Sequence, residues 1–129
     1  MPMNPHTDSA TLTKAVLRAA ERLGLIDTLH EIIDTDAASI DRMLKGEAVL
    51  DANRSEWEGA TRFTGLFRSL LTLVGTIENA RAWLNTPHQT LGAAPADMLR
   101  TPRGRDHVLR YLDSVQKFEM KLPPRGTLQ

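Results

Sequence analysis

Side chains suited to catalysis or metal binding are few in this sequence, and they are poorly spaced for either task. A metal site needs several ligands grouped at short intervals, and acid–base catalysis needs a poised pair of groups. The chain has no cysteine, and none of its histidines has a partner at metal-ligand spacing: His6, His30, His88 and His107. The carboxylates Asp97, Asp106 and Asp113 are isolated from one another along the sequence. No phosphate-binding loop or nucleophile motif occurs. We therefore predict no catalytic residue, no metal, no cofactor and no enzymatic activity.

The segment Thr101-Pro102-Arg103-Gly104 has some potential for ligand binding. Threonine before proline is typical of a helix start, with threonine as the N-cap and proline as the first helical residue. Free amides at such a start, with Arg103 and Arg105 nearby, suit a bound anion. The alternative is that this segment only begins a helix.

The elements that position this segment form a helical module with frequent turn and cap residues. The pattern predicts a helix over 77–84 that ends before Pro87, because the residue preceding a proline is pushed out of helical geometry. Gly92 predicts a turn, and Pro95 and Pro102 each predict a helix start. The last helix, about 102–120, should bury Val108, Leu109, Leu112 and Val115 and should turn Arg103, Arg105, Arg110 and Lys117 outward.

The N-terminal half has the order of helices found in a helix-turn-helix. Apolar periodicity predicts a helix over 12–23 and short helices over 27–33 and 37–45, ended by Gly24 and Gly46. The inward residues should be Leu29, Ile32, Ile33, Ile40, Met43 and Leu44. In a DNA-binding helix-turn-helix, the third helix would offer Ser39, Arg42 and Lys45 to DNA. The acidic turn at 34–36 would repel phosphate, so a helical bundle that binds no DNA is the alternative.

The longest predicted helix spans 55–74 and begins with the capping-box pattern S-x-x-E at Ser55 and Glu58. Two adjoining apolar stripes predict burial around much of its circumference. We expect it to connect the N-terminal bundle to the C-terminal module, and a homodimer interface on part of its surface is the alternative.

Composition is that of an ordinary soluble domain. The 129 residues carry 16 basic and 16 acidic side chains, and 41% are apolar. We find no secretory signal and no membrane-spanning segment, and the lack of cysteine fits a reducing cytoplasm. Residues 11–51 hold five basic and eight acidic groups, a balance of minus three. Residues 52–129 hold eleven and seven, a balance of plus four.

The C-terminal module resembles the C-terminal domain of the MbcA/ParS/Xre antitoxins. The matching pattern is W-L-x-T-P, then L-G-x-x-P-x-D-M-L-R-T-x-x-G, then V-L-x-x-L. It is carried by Trp83, Leu84, Thr86, Pro87, Leu91, Gly92, Pro95, Asp97, Met98, Leu99, Arg100, Thr101, Gly104, Val108, Leu109 and Leu112. Members of this family neutralise RES-domain toxins, which are ADP-ribosyltransferase-like and consume NAD.

The resemblance implies an all-α fold in which an Xre-like helix-turn-helix bundle precedes a small toxin-binding domain. We assign residues 1–10 to a disordered tail, 11–75 to the Xre-like domain, 76–122 to the toxin-binding domain and 123–129 to a C-terminal tail. The implied function is that of an antitoxin which covers the active site of a cognate toxin, with repression of its own operon as a secondary prediction. A stand-alone DNA-binding repressor is the alternative. Expected partners are the toxin, operator DNA and a second copy of the chain.

In the resembling family, the C-terminal region lies at the NAD pocket of the toxin. The tail here is therefore expected to enter the partner's cleft, and ordinary terminal disorder is the alternative. The predicted toxin-binding residues are Trp83, Leu91, Leu99, Arg100, Arg103, Arg105, Lys117, Met120, Lys121, Leu122 and Arg125.

Overall fold

The computed structural model describes the backbone of residues 5–121 and the side chains of residues 8–115. Within these bounds the chain is entirely helical apart from turns and one isolated bridge between His88 and Ala93, which confirms the all-α prediction. The elements are α1 (Pro5–Leu23), a 3-10 turn (Ile26–Thr28), α2 (Leu29–Ile32), α3 (Ala37–Leu44), α4 (Ser55–Val74), α5 (Ile77–Asn85), α6 (Pro95–Met98) and α7 (Pro102–Lys121).

Helix α1 begins at Pro5, so the prediction of a disordered tail over 1–10 was wrong for residues 5–10. Ser9 and Thr13 are buried, and the Thr13 hydroxyl donates to the Ser9 carbonyl oxygen. The same hydroxyl accepts the Leu50 amide at 2.9 Å. This part of the helix is therefore held by the segment before α4, a long-range contact that helical periodicity does not reveal.

The short helices α2 and α3 follow the predicted order. The carboxylate of Asp36 caps α3 by accepting the Ser39 N–H at 2.7 Å. This hydrogen bond lowers the pKa of Asp36 below its usual range. The predicted inward residues of both helices are buried except Leu44, which is 48% exposed. The assignment of Leu44 to the core was wrong because α3 ends at that residue, just before the chain turns at Gly46.

Helix α4 is the central packing element, as predicted, and it contacts α1, α5 and α7. Its buried apolar residues are Ala60, Phe63, Leu66 and Leu70. The predicted capping box is absent, because Ser55 is already the first helical residue and Arg54 occupies the cap position without a side-chain bond. Glu58 instead pairs with Arg62 one turn along the same helix.

Two glycines allow helices to approach closely. A side chain at Gly59 would meet the Ile33 backbone within 3 Å, and one at Gly104 would overlap the Met98 carbonyl oxygen. The first position brings α4 against the end of α2, and the second seats α7 on α6. Among the described residues, no helix is both long enough and apolar enough to span a bilayer.

Candidate functional site

The C-terminal module begins and turns at the predicted residues. The Thr76 hydroxyl accepts the Asn79 N–H and caps α5, and the Thr101 hydroxyl accepts the Gly104 N–H at the start of α7. Gly92 has a φ of +87°, which suits glycine at this turn. These local signals explain why α5, α6 and α7 fold as a compact unit.

Arg105 of α7 joins this module to the acidic end of α2. Its guanidinium donates to the Glu31 carbonyl oxygen at 2.7 Å and to the Leu99 carbonyl oxygen at 3.2 Å. It also binds both carboxylate oxygens of Asp34, at 3.0 and 3.1 Å. The side chain is only 15% exposed, so the prediction that α7 turns Arg105 outward was wrong. The bidentate pair is a geometry that arginine favours with carboxylates.

Asp34 is a suitable partner because of its backbone conformation. It has a φ of +62°, a region that aspartate tolerates better than most residues. The acidic turn, interpreted from the sequence as a feature that repels DNA, thus binds an arginine from the other half of the chain.

Arg100 makes a second bridge to the same region. Its Nε lies 3.2 Å from both carboxylate oxygens of Glu31, and this contact raises the pKa of Arg100 above its usual value. The Arg100 side chain is 47% exposed, so the pair is largely solvated and contributes less than the Arg105 contacts.

Trp83 belongs to an aromatic cluster between α5, the following turn and α7. Its ring is stacked on Tyr111 with 6.3 Å between centroids, and it meets His88 edge-on at 6.0 Å. The Tyr111 hydroxyl lies 3.2 Å from Nε2 of His88, whereas Nδ1 of that ring is buried without a hydrogen-bond partner among the described residues. All three rings are half-buried, so the cluster supports the module and also reaches its surface.

The sequence did not identify His88 or Tyr111 as site residues. His88 was considered only as a metal ligand, and its aromatic neighbours lie five residues before it and 23 residues after it in the chain. Tyr111 is the only tyrosine in the sequence, and its place three residues after Val108 on α7 gave no functional signal.

The other predicted toxin-binding residues are distributed between core and surface. Leu91 and Leu99 are 7% and 1% exposed, so both side chains pack inside the module. Arg103 is exposed at the start of α7 and makes no ion pair within residues 8–115. The side chains of Lys117, Met120, Lys121, Leu122 and Arg125 lie outside the described residues.

The structure leaves little of the predicted anion site at the start of α7. The Gly104 amide is bound to the Thr101 hydroxyl, and the Arg105 amide donates to the Thr101 carbonyl at 2.9 Å. The Arg105 guanidinium is also occupied, as described above. The hydrogen bonds of a capped helix start therefore account for the residue types of this segment.

A groove of about 150 Å³ lies between α4 and α7. Phe63, Leu66 and Leu109 contribute apolar surface to it. The charged side chains at its rim include Arg62, which is already paired with Glu58. In the part of the chain that the structure describes, no group of three histidine or carboxylate side chains is placed to hold a metal ion.

The predicted DNA-contacting residues lie together on α3. Arg42 and Lys45 are exposed and Ser39 is half-buried. Lys45 is paired with Asp41 one turn away, with 3.0 Å between Nζ and the carboxylate. Asp41 therefore offsets one of the two cations that the predicted DNA-contacting surface offers.

Comparison with protein families identifies the C-terminal module. Residues 69–117 match the model of the antitoxin Xre/MbcA/ParS C-terminal toxin-binding domain, and this part of the chain belongs to that family. The match begins near the end of α4 and includes α5, α6 and most of α7. This match supports the role of an antitoxin in a toxin–antitoxin system, and a toxin-binding domain implies a toxin as its partner. No curated protein matches the chain.

Proposed function

We propose that this protein is the antitoxin of a type II pair and neutralises a RES-domain, NAD-consuming toxin by covering its active site. The observation that carries the proposal is the family of residues 69–117, whose members bind toxins. The motif resemblance described above supports the finer identification of the toxin as an ADP-ribosyltransferase-like enzyme.

The proposed mechanism is steric. The antitoxin supplies no reacting group, and inhibition results from occupation of the cleft that NAD would enter. Trp83 and Tyr111 provide a rigid aromatic surface, the kind of side chain that often dominates interface energetics. Arg103 provides an exposed cation at the start of α7 that can pair with an acidic group of the toxin.

The folded module and the C-terminal tail have separate parts in this proposal. The module binds the toxin, and residues 122–129 extend into the cleft. Deletion of residues 122–129 is expected to weaken inhibition while leaving thermal unfolding nearly unchanged. Full inhibition by the shortened chain would remove the tail from the mechanism.

A charge reversal tests the surface without disturbing the core. The chain is co-expressed with a RES-domain toxin encoded beside it, and cellular NAD and growth are measured. Arg103→Glu should raise the antitoxin dose required for protection at least tenfold, because it replaces a favourable charge at the interface with a repulsive one.

Arg68→Glu is the matched control. Arg68 is an exposed arginine on α4 just before the matched domain, and it makes no ion pair within residues 8–115. This variant should protect like the parent chain. Equal loss in both variants would show that net charge decides protection, and no protection by the parent chain would refute the choice of toxin.

A second proposal is operator binding by the N-terminal helices, either as autorepression or as the activity of a stand-alone repressor. It is supported by the succession of α1, α2 and α3, with a capped third helix that exposes Arg42. A neighbouring gene for a RES-domain protein would favour autorepression. Operator control with no neutralising activity would favour the stand-alone repressor.

A further inference from the structure

The exposed face of α1 carries a regular row of cations, which we call the α1 basic row and define as Lys14, Arg18 and Arg22. Their spacing of four residues places them about 6 Å apart along the helix axis, with a small rotation at each step. All three are exposed and make no ion pair with any other described residue. The opposite side of α1 packs in the core through Val16 and Ala20.

A fourth cation lies at the end of this row. A side chain added at Gly24 would lie 3.1 Å from Nη2 of Arg81, so the Arg81 guanidinium lies beside the C-terminal end of α1. Glu21 is the exposed acid next to the row, which leaves an excess of three positive charges among these five side chains. In a chain without net charge, this is a locally strong positive surface.

Helix α3 carries no such excess of positive charge. Its two cations, Arg42 and Lys45, are balanced by Asp36 and Asp41 on the same element, and Lys45 is directly paired. A helix that is electrically neutral gains little from phosphate contacts, which dominate the affinity of proteins for DNA.

We infer that the α1 basic row, and not α3, binds the sugar–phosphate backbone of duplex DNA. Evenly spaced cations over about 12 Å complement a strand that carries one negative charge per about 3.4 Å of helix axis. Between the cations the surface is a shallow depression formed with Thr11 and Ala15. These small side chains allow close approach of a backbone, and they offer neither the aromatic platform that single strands need nor an apolar anchor for a protein.

This inference rests on the second proposal, operator binding, and it identifies which side chains supply the affinity. It predicts contacts that depend on charge and not on base sequence. The Lys14→Gln/Arg18→Gln/Arg22→Gln variant of the full chain tests it, because glutamine keeps helix propensity while removing the charges. The measurement is fluorescence anisotropy with a labelled 30-base-pair duplex containing the upstream region, titrated at salt concentrations from 50 to 200 mM.

Three phosphate contacts contribute about 2.7 to the slope of log affinity against log salt. Over this fourfold change in salt, the parent chain should therefore lose about 40-fold more affinity than the variant. Arg42→Gln/Lys45→Gln should change the slope little. Arg62→Gln/Arg68→Gln/Arg110→Gln is the control for net charge, since it removes three exposed cations from α4 and α7.

The outcomes separate this inference from the proposals on which it depends. Operator binding that persists in the α1 variant and is lost in the α3 variant would overturn the inference and leave operator binding intact. Equal loss in the charge control would also overturn it. Absence of DNA binding by the parent chain would refute both, whereas toxin neutralisation by the α1 variant should equal that of the parent chain in every case.

Discussion

Replacement of Arg105 by alanine should loosen the attachment of the toxin-binding module to the N-terminal bundle. The substitution removes four hydrogen bonds: two to the Asp34 carboxylate and one each to the carbonyl oxygens of Glu31 and Leu99. A hydrogen bond to a charged group contributes about 1.5–3 kcal/mol. Asp34 is 51% exposed and regains water, so only part of this sum is lost.

The expected decrease in the free energy of unfolding is about 2–3 kcal/mol. Since a domain has a total stability of about 5–15 kcal/mol, this is a large fraction. The midpoint of thermal unfolding should fall by about 10 °C for a chain of this size. Alanine has a slightly higher helix propensity than arginine, so a loss at this position cannot come from the helix itself.

Arg110→Ala is the control on the same helix. Arg110 pairs with Asp106 one turn away, and both side chains are mostly exposed, so the loss should stay below about 0.5 kcal/mol. Thermal and urea unfolding followed by circular dichroism compare the two variants. If Arg105→Ala unfolds at the same temperature as Arg110→Ala, the contacts of Arg105 do not hold the two halves together.

Three further substitutions test separate parts of the fold by the same unfolding measurements. Gly104→Ala should cost about 1–3 kcal/mol, because the new methyl group overlaps the Met98 carbonyl oxygen; parent-like stability would contradict this. Thr13→Val should lower the free energy of unfolding by about 1–3 kcal/mol, because it leaves the buried Leu50 amide without an acceptor. The same change at an exposed threonine is the control and should have little effect. Asp36→Ala should lower the midpoint more at pH 7 than at pH 2. The pKa of Asp36 is lowered in the folded chain, so the ionised carboxylate stabilises the fold above about pH 4, and this stabilisation is lost as the pH falls through that lowered pKa. An equal decrease in the midpoint at both pH values would contradict this prediction.

Turn glycines and helix-capping residues made most of the helix boundaries predictable. Gly24 and Gly46 both adopt positive φ just after predicted helices, and Thr101 caps α7 as expected. Each of these signals depends on a few neighbouring residues and on backbone geometry alone. The family of the C-terminal module was also recognisable, because its motif is dense over about thirty residues.

Long-range pairing was not predictable in the same way. Arg105 was expected on the outer face, since neither periodicity nor composition indicates that Asp34, far away in sequence, lies beside it. The start of α1 was misplaced for a similar reason, because Ser9 and Thr13 are polar but buried, and Thr13 accepts a hydrogen bond from the distant Leu50 amide.

The candidate site was predicted only in part. Trp83 was identified through the motif, whereas its neighbours His88 and Tyr111 come from other elements and required the fold to bring them together. The residues of the tail lie outside the described structure, so their role remains a prediction.

The central proposal is that the C-terminal module closes the NAD site of a toxin. The most direct test is the affinity of the purified RES-domain toxin for NAD, measured by calorimetry with and without a stoichiometric amount of this chain. We predict that NAD binding becomes undetectable in the complex and is partly restored when the complex is formed with the Arg103→Glu variant. A complex that forms stoichiometrically and still binds NAD as the free toxin does would contradict the proposal.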